Sequence, residues 1–149
     1  MMIKTVIIWT FMAVCVLDTA LGTQFKDCGS VVGKIDSLDV SSCDPEPCQL
    51  KHNTNTTVTI KLTTNEQVTA GKTVVYGIID GLPVPFPIHP NDACKNMPCP
   101  VSTGATVTYQ NKIFILPSYP KIKLVVKWEI QDQNGKDIIC FAIPAIIVD

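Results

Sequence analysis

The sequence predicts an all-β sandwich of two antiparallel sheets, and three observations carry that expectation. From Thr23 onward no apolar period of 3.6 persists beyond two turns, whereas apolar and polar residues alternate in several segments. An Asn134-Gly135 pair, a strong hairpin signal, separates the two longest alternating runs. Seven cysteines are many for 149 residues, as in small folds of oxidising compartments.

The chain starts with Met1-Met2-Ile3-Lys4, then an uncharged apolar run from Thr5 to Leu17, then Ala20-Leu21-Gly22. This is the pattern of a signal peptide over residues 1–22, with a secreted or luminal domain over 23–149. The run falls short of the roughly 20 apolar residues that a membrane crossing needs. Cys15 belongs to this leader, and Cys28, Cys43, Cys48, Cys94, Cys99 and Cys140 remain. The Cys43/Cys48 and Cys94/Cys99 spacings favour two local clips around proline-containing loops, although six cysteines allow about 15 pairings and spacing does not choose among them. A zinc site is disfavoured, since no histidine stands at ligand spacing and such a compartment oxidises thiols.

The strands follow in order. Residues 31–40 are apolar at Val31, Val32, Ile35, Leu38 and Val40, a period of two once a bulge separates Ile35 from Leu38. Val58, Ile60 and Leu62 share one face of a strand over 57–63, with Thr57, Thr59, Lys61 and Thr63 on the other. Residues 73–79 form a more buried strand, and 105–109 and 112–116 two short ones. If Asn134-Gly135 forms a two-residue type I′ turn, Ile130 faces Ile139, Trp128 faces Phe141, Val126 faces Ile143, Leu124 faces Ala145 and Ile122 faces Ile147. That inner face carries no charge, while Lys121, Lys123, Lys127, Glu129 and Gln131 take the outer one.

Residues 80–100 hold six of the 11 prolines. Leu82-Pro83-Val84-Pro85-Phe86-Pro87-Ile88 is extended, because each proline restricts itself and its predecessor. It is excluded from the middle of a sheet, where alternate N–H groups would be missing. Val84, Phe86 and Ile88 nevertheless point one way, as an apolar flap along an edge.

All 12 cationic side chains are Lys and the net charge is -1, which argues against a nucleic-acid partner. The two histidines, His52 and His89, stand outside any motif and read as solvated loop residues. No nucleophile elbow, phosphate loop or paired carboxylate occurs, so the chain is not read as an enzyme. Asn55-Thr56-Thr57 is an N-glycosylation sequon.

Several segments together carry a resemblance: Gln24-Phe25-Lys26-Asp27-Cys28-Gly29-Ser30, Pro47-Cys48-Gln49-Leu50, the alternating-proline segment, Tyr119-Pro120, Ile122-Lys123-Leu124-Val125-Val126, Trp128 and Cys140. Over essentially all of 23–149 the chain resembles the MD-2-related lipid-recognition (ML) domain family, and within it the soluble sterol-transfer members. The resemblance implies an immunoglobulin-like sandwich with disulfides Cys28–Cys140, Cys43–Cys48 and Cys94–Cys99, holding cholesterol or a related sterol between its sheets without a cofactor or metal. It puts Phe86, Ile115 and Tyr119 at the pocket mouth beside Pro120, and Val40, Leu50, Val84, Val126, Trp128 and Phe141 deeper on its walls. Ile115 stands where Val is expected and Phe141 where Trp is expected; both stay apolar. It further implies a monomer, secreted and in the lysosome lumen. Its partners would be the Niemann–Pick type C membrane protein of the same sterol-export pathway and, transiently, lysosomal inner membranes, met through the apolar knob Tyr76-Gly77-Ile78-Ile79-Asp80-Gly81. A co-receptor for a multi-chain amphiphile, or a secreted interaction module with a filled core, are the competing functions. Among the pocket positions only Tyr119 titrates, far above luminal pH, so the pocket itself predicts binding that is flat between about pH 5 and 7.

Overall fold

The computed structural model describes residues 22–149; residues 1–21 of the expected leader lie outside the described residues. Alternating sequences become strands here because one face of each is greasy enough to be covered and the other is not. The strands are β1 (Lys26–Asp27), β2 (Gly33–Val40), β3 (Cys48–Lys51), β4 (Asn55–Thr64), β5 (Lys72–Ile79), β6 (Leu82–Phe86), β7 (Thr106–Phe114), β8 (Lys123–Gln131) and β9 (Asp137–Val148). A 3₁₀ turn spans Ala93–Lys95. One sheet runs β1-β9-β8-β5-β6, with β3 also on β9, and the other runs β2-β4-β7. Every pairing is antiparallel except β3 with β9.

The two sheets face each other through the residues that alternation selected. Val58, Ile60 and Leu62 of β4 are buried, as are Trp128 and Ile130 of β8 and Ile139, Phe141, Ile143 and Ala145 of β9. The irregularity in β2 falls between Ile35 and Ser37, where the broken period required it. The β8–β9 register pairs Ile130 with Ile139, Trp128 with Phe141, Val126 with Ile143 and Leu124 with Ala145.

The turn that sets this register is not the expected type I′. Of the Asn134-Gly135 pair only Gly135 has positive φ (76°). The Gly135 N–H donates to the Asp132 carbonyl and the Asp132 N–H to the Lys136 carbonyl, which makes a three-residue loop. Asp132 decides this, because its carboxylate accepts the N–H groups of both Asn134 and Lys136. The register shift between Ile130 and Gln131 absorbs the difference, and the inner face is unchanged.

A type I′ turn does occur, at Asp80-Gly81, where both residues have positive φ (50° and 80°) and Ile79 pairs with Leu82. It folds the proline segment back on β5 as an edge strand. The pair flanking a two-residue turn exchanges both hydrogen bonds, so alternate pairs do not. Pro83 opposite Ile78 and Pro85 opposite Tyr76 occupy those non-bonded positions, where a missing N–H costs nothing.

The expected break in β7 is also absent: one strand runs from Thr106 to Phe114. Gln110-Asn111 interrupts the apolar pattern, yet Asn111 is buried because its amide donates to the Tyr109 hydroxyl at 2.9 Å. Cys28–Cys140, Cys43–Cys48 and Cys94–Cys99 are bonded, and the first links residues 112 apart.

Candidate functional site

The inner face of the β8–β9 hairpin is apolar from end to end, but the space above it is not uniform. At the end nearer the turn, Trp128 stacks on Phe141 (centroids 6.2 Å, planes 8° apart) and meets Tyr109 edge-on at 6.2 Å. All three side chains are fully buried. Inside this packing the Tyr109 hydroxyl bonds Thr73 Oγ1 at 2.8 Å and receives the Asn111 amide. Burial pushes the Tyr109 pKa up, against the pull of those bonds. Aromatic volume and a satisfied polar triad close this half.

At the other end the filling stops. A cavity of about 190 Å³ opens between β5, β6, β8, the β3 end of the larger sheet and the loop after β7. None of its lining residues is charged. The lining includes Leu50, Val84, Phe86, Ile115, Tyr119, Pro120 and Val126 of the expected positions. At the mouth, Phe86 and Tyr119 meet edge-to-face with centroids 5.3 Å apart. Val40, Trp128 and Phe141, expected on the deeper wall, do not line the cavity. Trp128 and Phe141 are locked in the stack just described, and Val40 lies in the core on β2, beside a different hollow. That hollow is larger, about 710 Å³, but it is open and carries Asp39, Asp44 and Glu46, which suits no apolar ligand.

One residue that the sequence reading placed in the exposed knob belongs instead to the cavity wall. Gly77 lies on the inner face of β5 between Val84 and Val126. A Cβ there would press on Leu124 Cδ1 at 3.0 Å, so the missing side chain is what lets Leu124 lie against β5 at the cavity wall. Ile122, Leu124 and Ile147 complete the lining, and the hairpin alternation had already put them on the inner face.

The mouth loop is fastened by a residue that sequence reading misplaced. His52 is not a solvated loop residue: its side chain is only 11% exposed. Nε2 lies 2.8 Å from the Tyr119 carbonyl and Nδ1 3.2 Å from Asp149 Oδ1. No sequence signal joins these three positions, since the contact crosses three separate segments. His89 is exposed, as read. Asn55 of the sequon is exposed at the start of β4, paired with the half-exposed Phe114 of β7. On the outer side of β8, Glu129 is buried rather than solvated and pairs with Lys127 at 3.1 Å. It lies close to Asp137 and to the Cys140 sulfur, which the disulfide occupies.

Comparison with known proteins agrees with this architecture. A family profile described as "ML domain" matches residues 22–147. The NPC intracellular cholesterol transporter 2 of Bos taurus is 41% identical over 135 residues, covering 90% of this chain and 91% of that one. The NPC intracellular cholesterol transporter 2 homolog a of Drosophila melanogaster is 42% identical over 128 residues, covering 83% and 86%. Among solved structures, a Niemann-Pick type C2 protein from Japanese carpenter ant superposes with a TM-score of 0.80 at 29% identity, covering 84% of this chain and 99% of that one.

Proposed function

The chain belongs to the ML domain family, and from that premise we propose that it is a non-enzymatic carrier of cholesterol or a related sterol, bound between its two sheets. The observation that carries the reading is the uncharged cavity entered past Phe86 and Tyr119. A carrier needs a site that desolvates its cargo without gripping any charge, and this is the one half of the sandwich where apolar walls are left unfilled.

The cavity of about 190 Å³ lies below the roughly 300–1,000 Å³ of ordinary ligand sites, so the cargo enters by parting the walls. β6 is free to move because it is an edge strand held by β5 alone. Phe86 and Tyr119 then flank the mouth, while Pro120, Ile115, Leu50, Val84 and Val126 form the walls. Val40, Trp128 and Phe141 become the floor as the space lengthens toward the closed half. The hydrocarbon tail enters first, because a buried unpaired hydroxyl costs about 1–3 kcal/mol and at the mouth water satisfies it.

The rest of the carrier reading follows from the same premise. The protein works as a monomer, secreted and in the lysosome lumen, with residues 1–22 removed and Asn55 glycosylated. It delivers sterol to the Niemann–Pick type C membrane protein and touches lysosomal inner membranes through the β5–β6 knob, where Leu82 is 68% exposed.

Titration with the fluorescent sterol dehydroergosterol tests this reading, with Trp128, the only tryptophan in residues 22–149, as energy donor. Saturable transfer at one sterol per chain is expected. Phe86→Ala should weaken binding about tenfold or more, while the free energy of urea unfolding falls by less than about 1 kcal/mol, since Phe86 is incompletely buried. Equal losses of binding and stability would make Phe86 ordinary packing, and absence of saturable transfer would refute the reading.

A further inference from the structure

We propose that the first N-acetylglucosamine of a glycan on Asn55 packs on the Phe114 ring, so that the carbohydrate supplies a cover for the end of β7. The inference rests on the reading that Asn55 is glycosylated, and it adds what the sugar does there. Two observations carry it, far apart in sequence and set side by side by the fold.

The first is an aromatic ring left open to solvent. Outward positions of the smaller sheet are polar along β4 from Thr57 to Thr63, and along β7 from Thr106 to Lys112, until Phe114 breaks the series. Phe114 is 47% exposed and Leu116, two residues on, is 42% exposed. β7 is an edge strand, so the sheet continues on one side of it alone. An apolar ring at the end of a sheet edge invites pairing with other chains unless something is laid on it.

The second is the sequon. In the β4–β7 pairing Asn55 lies directly opposite Phe114. Both are exposed, while Thr56, Ile113 and Ile115 are buried, so the two side chains leave the sheet on the same face. The Ile115 N–H donates to the Thr54 carbonyl at 3.0 Å, a bond that flanks the pair and marks it as the non-hydrogen-bonded kind. Side chains of such pairs stand closest, with Cβ atoms about 4.5–5.5 Å apart. A sugar joined to the Asn55 amide nitrogen therefore begins beside the ring. Its C–H face is apolar and its hydroxyls lie around the rim, which suits an aromatic face on one side and water on the other. Thr57 and Lys112, the adjacent outward pair, are polar, which leaves Phe114 and Leu116 as the apolar surface within reach.

The packing has a local consequence. Ile115 lines the cavity, its N–H is held by Thr54 and its carbonyl accepts the Asn53 N–H. A sugar laid across Asn55 and Phe114 secures those bonds from outside.

The test uses protein secreted by a eukaryotic host that attaches high-mannose glycans, with occupancy at Asn55 read by intact mass. The native chain, Asn55→Gln, Phe114→Ser and the double variant are unfolded in urea with disulfides intact. Loss of the glycan from the native chain is expected to raise the unfolding equilibrium constant about fivefold, the scale of one aromatic contact. In the Phe114→Ser background the same loss should change it by less than about twofold, whereas Phe114→Tyr keeps a ring and should behave as native. Trimming the glycan to its first sugar with an endoglycosidase should leave the effect in place, since that sugar makes the contact. Protons of the first sugar should also resonate upfield over the Phe114 ring and return to ordinary positions in Phe114→Ser. Equal losses in both backgrounds, or unshifted sugar protons, would overturn the contact and leave the glycosylation reading standing. A secreted chain bare at Asn55 would overturn both. Dimerisation of the native glycoprotein that Phe114→Ser abolishes would seat a second copy on the ring and also overturn the proposal.

Discussion

The two halves of this sandwich are built from the same strands yet do opposite things. In one, β8 contributes Trp128 and Ile130, which lie beside Phe141 and Ile139 of β9 and, with Tyr109 of β7, are all at 0% exposure. A few residues earlier the same strand contributes Leu124 and Val126, which remain partly exposed along the cavity. The chemistry of the inner face does not change along the way. What changes is the supply of volume: aromatic rings and the Thr73–Tyr109–Asn111 bonds fill one end, and Gly77 and a proline-laden edge strand underfill the other. A rigid half keeps the sheets in register so that the other half can yield.

The sharpest way to break this contrast is to remove one side chain from each half. Trp128→Ala should cost about 3–5 kcal/mol in urea unfolding with disulfides intact, because a full cavity is left in close packing. Leu124→Ala should cost less than half of that, since its surroundings are already open. Similar losses would mean that the halves are packed alike. Filling the gap tests the converse. Gly77→Val installs a strand-favouring side chain whose Cβ lies 3.0 Å from Leu124 Cδ1, which must swing aside, and is expected to reduce dehydroergosterol affinity about tenfold or more at a stability cost of about 1–3 kcal/mol. Unchanged affinity would move the cargo away from Gly77.

A smaller effect probes the polar plug of the closed half. Thr73→Val strands the Tyr109 hydroxyl on one of its two bonds and should lower stability by about 1–2 kcal/mol with sterol affinity nearly unchanged. The smallest is a pH effect on the outer cover of this half. Burial, followed by the charge of Glu129, raises the Asp137 carboxyl pKa, with Lys127 opposing. A carboxyl raised in the folded state favours folding below its unfolded value near about 3.9 and opposes it as pH climbs through the folded value. Asp137→Asn should therefore shift the urea midpoint upward at pH 7, and the gain should vanish toward pH 3. A gain that persists at pH 3 would assign the effect to something other than ionisation.

Much of the fold is legible in the residues because a period of two says which face is covered. Ile130 opposite Ile139 and the bulge after Ile35 were both readable in that way. The turn between β8 and β9 was misread because Asn134-Gly135 was weighed without Asp132, whose carboxylate organises the loop. Asn111 looked like a strand break because a buried polar residue is indistinguishable from a loop residue until its partner, Tyr109, is known. Of the site, the mouth at Phe86 and Tyr119 came through the family resemblance. The contribution of Gly77 and the clasp at His52 had no local signal, for one is an absence of atoms and the other joins three distant segments. Alternation also says nothing of how far apart two covered faces stand, so core and pocket look identical in sequence.

The central claim is that the yielding half holds one sterol. Native mass spectrometry of the protein as secreted by a eukaryotic host measures that directly. The account predicts a mass increment of a single sterol on a monomer, lost when Gly77→Val fills the gap. Only bare protein, or an adduct carrying several acyl chains, would contradict it.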